Sequence, residues 1–141
     1  MSIKLLTNYP VAFIPYHKIL VISDTHIGLE TDLSHAGIRI HKQIEKFKEI
    51  IDKLIELTNA KILVILGDVK HKVPGASMQE LRDIPKFLEQ LSKKVKVIIT
   101  KGNHDDYLET LVPEGVKLYG SKGFRIGKYG FFHGHAWPSK N

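Results

Sequence analysis

The sequence predicts an α/β fold, a layered sheet flanked by helices. Two patterns predict it. Short apolar, β-branched runs recur along the chain, and segments of helical periodicity separate the first three of them. The runs are Ile19–Ile22, Ile62–Leu66, Val95–Ile99 and Tyr129–Phe132. The first two are continuous rather than alternating, as in strands buried on both faces.

Between the first and second runs, Ile40, Ile44, Phe47, Ile51, Leu54 and Ile55 recur at steps of three and four residues. That spacing gathers them on one stripe of a helix spanning about 37–58, with Asn59 near its end. Between the second and third runs, Leu81, Ile84, Leu88 and Leu91 share one face of a helix over about 77–93. Ser77 and Glu80 could form its capping box. Pro85 lacks a donor N–H and is expected to kink or restart this helix. Strand, helix, strand, helix, strand implies crossover connections and a parallel sheet. After residue 112 the pattern changes to short extended pieces divided by Gly115, Gly120, Gly123, Gly127 and Gly130, expected to be antiparallel or mixed strands. No repeat, low-complexity tract or linker interrupts residues 1–141, so a single domain is expected.

The composition suits a compact domain: 141 residues, 43% hydrophobic and 26% charged. With no cysteine, thiolate metal ligands and disulfides are excluded, and a cytoplasmic location is the default expectation. No apolar run approaches the roughly 20 residues that span a bilayer, so no membrane partner is expected. Lys+Arg 21 against Asp+Glu 15 gives a net charge of +6, which favours anionic partners such as phosphate esters or nucleic acid. The plainer reading is a solvated, lysine-rich surface, and no interleaving of aromatic and basic residues of the kind that stacks single strands is evident.

Chemistry concentrates just past each apolar run. Ser23-Asp24-Thr25-His26 follows the first, Gly67-Asp68-Val69-Lys70-His71 the second, Gly102-Asn103-His104-Asp105 the third and His133-Gly134-His135 the fourth. Ligands of open α/β sheets bind at the carboxyl ends of the strands, so these clusters are expected to converge. Each alone is weak, since a Gly-Asp after a strand is commonly a turn in which glycine supplies a positive φ. Four in order at successive strand ends would need four independent accidents. Carboxylate, amide oxygen and imidazole together suit a borderline divalent cation such as Mn, Fe or Zn. Asp24 and His26, two apart on an extended segment, face one side. The two carboxylate oxygens of Asp68 could bridge two cations, and neutral Asn103 is a sensible ligand where neighbours already supply negative charge.

These residues resemble the calcineurin-like metallophosphoesterase superfamily, whose motifs run Asp-x-His, Gly-Asp-x-x-(Asp/His), Gly-Asn-His-(Asp/Glu), His and Gly-His-x-His. The first four occur in order from Asp24 to His133, covering nearly the whole chain. Within the superfamily they look most like the small prokaryotic, often archaeal, branch that includes the DNA-ligase-associated phosphoesterases. The resemblance implies a sheet sandwich flanked by helices and two divalent metal ions, Mn foremost, with Fe, Zn, Ni or Mg as alternatives. Asp24 and His26 would bind the first metal, Asp68 would bridge, and Asn103 and His133 would bind the second. His104 would be the general acid, with Asp105 orienting its imidazole. His71 and His135 are weaker candidate ligands. A hydroxide held between ions about 3.5–4 Å apart would attack phosphorus in line. His17, His35 and His41 match no motif and are expected on the surface or at helix starts.

The final motif is not matched. Gly134-His135-Ala136-Trp137 comes nearest, but Trp137 stands where the second histidine belongs. The expectation is a sandwich lacking its last carboxyl-terminal strands and a shortened, weakened site. Alternatives are recruitment of His135, His71 or water, and completion by a second copy through an uncovered sheet edge. The expected function is therefore a phosphomono- or phosphodiesterase. A catalytically weak binding module of the same fold and a nucleic-acid end-processing nuclease are the alternatives.

Overall fold

The computed structural model describes residues 3–5, 11–23, 44–67, 69, 78–102, 105, 108–120 and 122–132. Six strands form one sheet in chain order: β1 (Lys4–Leu5), β2 (Ala12–Ile14), β3 (Ile19–Ile22), β4 (Ile62–Leu66), β5 (Lys96–Thr100) and β6 (Lys117–Tyr119). The first two pairings are antiparallel and the last three parallel. A separate hairpin joins β7 (Phe124–Ile126) to β8 (Tyr129–Phe131). Helices α1 (Ile44–Thr58) and α2 (Met78–Ser92) connect β3 to β4 and β4 to β5.

The apolar strands alternate strictly between two cores. Leu20, Ile22, Leu63, Ile65, Val97 and Ile99 point to the helices, where they meet Ile51 and Leu54 of α1 and Ile84, Phe87, Leu88 and Leu91 of α2. Ile19, Val64 and Ile98 point the other way, against Ile14 and the hairpin's Phe124 and Phe131. Burial on both faces is why these strands read as continuous apolar runs. The molecule is thus layered, with helices, six-stranded sheet and hairpin stacked in that order.

Helix α1 ends where Asn59 adopts a φ of 55°, a left-handed conformation that asparagine tolerates well. Helix α2 continues through Pro85 as one element rather than restarting. Losing one backbone bond there is offset by burial of Ile84, Phe87, Leu88 and Leu91 around it. Ile40, the side chains of Ile44, Phe47 and Leu81, and the Ser77–Glu80 box lie outside the described residues. Of the described pieces after residue 112, β6 extends the main sheet in parallel and β7–β8 is antiparallel.

The hairpin's direction matters for the site. Its two-residue turn opens with Gly127, at a φ of 58°. A Cβ there would come within 3.0 Å of the His17 ring, in the turn that precedes β3. Its other end stacks Phe124 on both Phe131 and Tyr119, with ring centroids 5.0 and 4.7 Å apart. Tyr119 closes β6 in register with Thr100 and Leu66. Strand β8 therefore runs from the amino ends toward the carboxyl ends of the parallel strands.

Candidate active site at the carboxyl edge of the sheet

Ile22, Ile65, Ile99 and Leu118 are level across four adjacent parallel strands, so those strands all finish at one edge. Beyond that line the chain leaves the sheet in an ordered way. The Ser23 hydroxyl donates to the Leu66 carbonyl at 2.7 Å, tying the end of β3 to the end of β4 one residue past their ladder. Gly67 follows with a φ of 77°, a conformation costly for any residue with a Cβ. Val69 is fully buried in the helix-side core. The residues on either side of position 68 are thus held, one by a turn and the other by an apolar anchor.

The third strand end is pinned more heavily. The Lys101 amide donates to the Tyr119 carbonyl at 3.0 Å, extending the β5–β6 pairing. Gly102 and Asp105 are joined twice. The Asp105 amide donates to the Gly102 carbonyl at 3.2 Å. In return, the Gly102 amide donates to Asp105 Oδ2 at 2.8 Å. The Leu108 amide donates to the Asp105 carbonyl at 3.2 Å, leading into the short 3-10 turn Leu108–Thr110. Leu108 is fully buried, and Lys101 pairs with Glu109 at 2.9 Å across the outside of this loop. Asp105 itself is fully buried.

The fourth segment arrives along β8. Phe131 is buried under Phe124, and Phe132, the residue before His133, is half-buried at the strand's end. Strands β3, β4, β5 and β8 accordingly all run toward one edge of the molecule, and the four polar clusters follow them in the sequence.

Of the candidate residues read from the sequence, Asp105 is described. Asp24, His26, Asp68, His71, Asn103, His104, His133 and His135 lie outside the described residues, as do His35, His41, Tyr107 and Trp137. Among the described residues no cluster of three His, Asp or Glu could hold a metal ion. His17 is neither at a helix start nor near this edge. It sits half-buried between the rings of Tyr16 and Tyr129, at 4.9 and 5.9 Å. Tyr119 is a packing residue, stacked on Phe124. Ser23 was read only as the first member of its cluster, without a partner, and the Lys101–Glu109 pair and Thr100 escaped the sequence reading. The Thr100 hydroxyl is fully buried at the end of β5 and has no hydrogen-bond partner among the described residues. A serine or threonine at a strand end was the available signal, but which carbonyl it reaches depends on register.

A helix-backed sheet whose adjacent parallel strands all finish at one edge defines an α/β protein. The chain belongs to the calcineurin-like phosphoesterase family, whose sequence model matches residues 17–140. Two solved structures share the fold. One is Pseudomonas putida nuclease MPE, 19% identical, with a TM-score of 0.60 over 86% of this chain and 55% of that one. The other is Yfce, a phosphoesterase from E. coli, 22% identical, with a TM-score of 0.54 over 87% of this chain and 63% of that one. The chain thus spans somewhat more than half the length of these two proteins. Among the described residues, no helix is long and apolar enough to cross a membrane.

Proposed function

We propose that the chain is a metal-dependent phosphoesterase that hydrolyses phosphomono- or phosphodiesters at the carboxyl edge of its sheet. The observation that supports this reading is that β3, β4, β5 and β8 all run toward one edge, in a chain of the calcineurin-like phosphoesterase family whose polar clusters follow those strands in the sequence. The donor set fits a divalent metal, because two carboxylates, an amide oxygen and two imidazoles supply oxygen and nitrogen without thiolate.

Asp24 and His26 would hold one ion, Asn103 and His133 another, and Asp68 would reach both. His71 and His135 would be weaker candidate donors. When bound, such ions supply Lewis-acid neutralisation of the phosphoryl oxygens and lower the pKa of water. His104 holds a proton for the leaving alkoxide, which requires an imidazole protonated near neutral pH. The net charge of +6 favours an anionic substrate, and nucleic acid falls within that class.

Elemental analysis after Mn²⁺ loading, with aryl-phosphate turnover on the same samples, tests this reading. Wild type is expected to hold about two metals per chain and to turn over. In Asp68→Ala both should fall, turnover by more than the roughly 10–100-fold typical of losing a ligand's supporting partner. A wild type that holds no metal and hydrolyses neither monoester nor diester would leave a binding module of the same fold. If the substrate is nucleic acid, activity should drop steeply with salt, whereas a small ester should be little affected.

A further inference from the structure

We infer that Asp105 is a positioning residue that acts through the backbone of Gly102, closing the ends of the segment that carries Asn103 and His104 in the sequence rather than serving His104 alone. The inference rests on the phosphoesterase reading for what those two side chains do, and on geometry for the clamp itself. Asp105 is 0% exposed, and a carboxylate taken wholly out of water is costly unless hydrogen bonds replace its hydration. The 2.8 Å bond from the Gly102 amide is such a replacement, and charge-assisted bonds of this kind are the strong ones.

That bond also closes a loop. The Asp105 amide returns to the Gly102 carbonyl, so a four-residue loop is shut by two bonds between its first and last members. Side-chain oxygen to the amide three residues back is the geometry of the reciprocal half of a capping box. The Asp105 carbonyl, in turn, accepts from Leu108, whose side chain is sunk in the helix-side core. Asp105 therefore links β5, through Gly102, to an apolar anchor, and the residues between the two clamp points are Asn103 and His104. On the phosphoesterase reading these are a metal ligand and the proton donor. Loss of the clamp should then be felt at both groups, where a misplacement of about 1 Å can cost roughly 100-fold in rate.

Asp105→Asn and Asp105→Ala separate this role from a purely electrostatic one. Asparagine keeps an oxygen able to accept from Gly102, whereas alanine does not. Amide hydrogen exchange read by NMR on the metal-free protein, with Val97–Ile99 amides as an internal control for folding, is the first readout. Gly102 exchange is expected to be at least tenfold faster in Asp105→Ala and near wild type in Asp105→Asn, with β5 protection kept in both. Mn²⁺ affinity by calorimetry should weaken at least tenfold in Asp105→Ala and less than threefold in Asp105→Asn. Unchanged Gly102 exchange in Asp105→Ala would overturn the clamp, as would normal metal affinity in both variants with turnover lost in both. If wild type binds no Mn²⁺ while Gly102 exchange still accelerates in Asp105→Ala, the clamp stands and the phosphoesterase reading falls.

Discussion

The two ends of the parallel strands are built on opposite principles. At the amino ends, Lys18, Lys61 and Lys96 are exposed, and their backbones are joined by bonds of 2.9 and 3.0 Å that run from Lys61 to Lys18 and from Lys96 to Lys61. Charge there is left to solvent. At the carboxyl ends the polar groups of Thr100, Gly102 and Asp105 are buried, Ser23 is half-buried, and Gly67 holds a positive φ. Water satisfies exposed lysines at almost no structural cost, whereas buried polar groups must be held in place by the surrounding fold. Left-handed backbone occurs at both ends, at Lys18 and Asn59 as well as at Gly67, so what sets the carboxyl edge apart is its buried polar groups.

The largest effect expected from challenging that contrast is at Gly67. Its φ of 77° is one that a Cβ disfavours by about 1–2 kcal/mol, so Gly67→Ala should lower the unfolding free energy by that amount. Because the residue immediately precedes Asp68, metal affinity should fall with it. Lys61→Ala, at the opposite end of the same strand, should change stability by less than about 0.5 kcal/mol. Urea titration of both variants decides the matter. Equal losses at the two ends would erase the distinction.

A smaller effect, of opposite sign, is expected at Thr100. A buried hydroxyl without a partner among the described residues keeps its desolvation cost, on the order of 1–3 kcal/mol, and valine has nearly the same shape. Thr100→Val should therefore raise the urea midpoint, by about 1 kcal/mol of stability. A loss of stability accompanied by weaker Mn²⁺ binding would instead show that the hydroxyl supports a ligand at this edge.

The fold was legible where burial imposes a pattern. Ile19–Ile22 and Ile62–Leu66 read as two-faced strands because they are packed by helices on one side and by the hairpin on the other. Strands β1 and β2 were not legible, being two and three residues long and antiparallel at the sheet's edge, too short for any periodicity to register. The parallel placement of β6 was equally hidden, since Lys117–Tyr119 is set beside β5 by long-range pairing and not by its own sequence. Of the site, the residue types and their order after each strand were readable, and so was the expectation of one edge. The contacts that hold the edge were not, because Ser23 to Leu66 spans 43 positions and depends on register. The Gly102–Asp105 clamp is local, yet Gly-Asn-His-Asp reads as chemistry rather than as a loop closed on itself.

The smallest effect belongs to the amino side, where charge is solvated and the comparison predicts only a shallow dependence on pH. Asp52 of α1 accepts from Lys48 one turn earlier at 2.9 Å and pairs with Lys94, just before β5, at 3.0 Å. Partial burial pushes its carboxyl up, but the Lys48 and Lys94 ammonium groups outweigh that and hold it below the ordinary value of 3.8. A carboxylate whose folded pKa is depressed contributes stability in full above its unfolded value. That contribution is lost as the pH falls through the lower folded value. The stability of wild type should therefore decline between about pH 4 and the depressed folded value more steeply than that of Asp52→Asn. At pH 7 the pair should be worth less than about 1 kcal/mol, because its members are partly exposed. Urea midpoints of the two proteins across pH 2–6 measure the difference. A gap at pH 7 larger than the Gly67→Ala effect would mean that the solvated end of the sheet, and not the buried polar end, bears the greater electrostatic load.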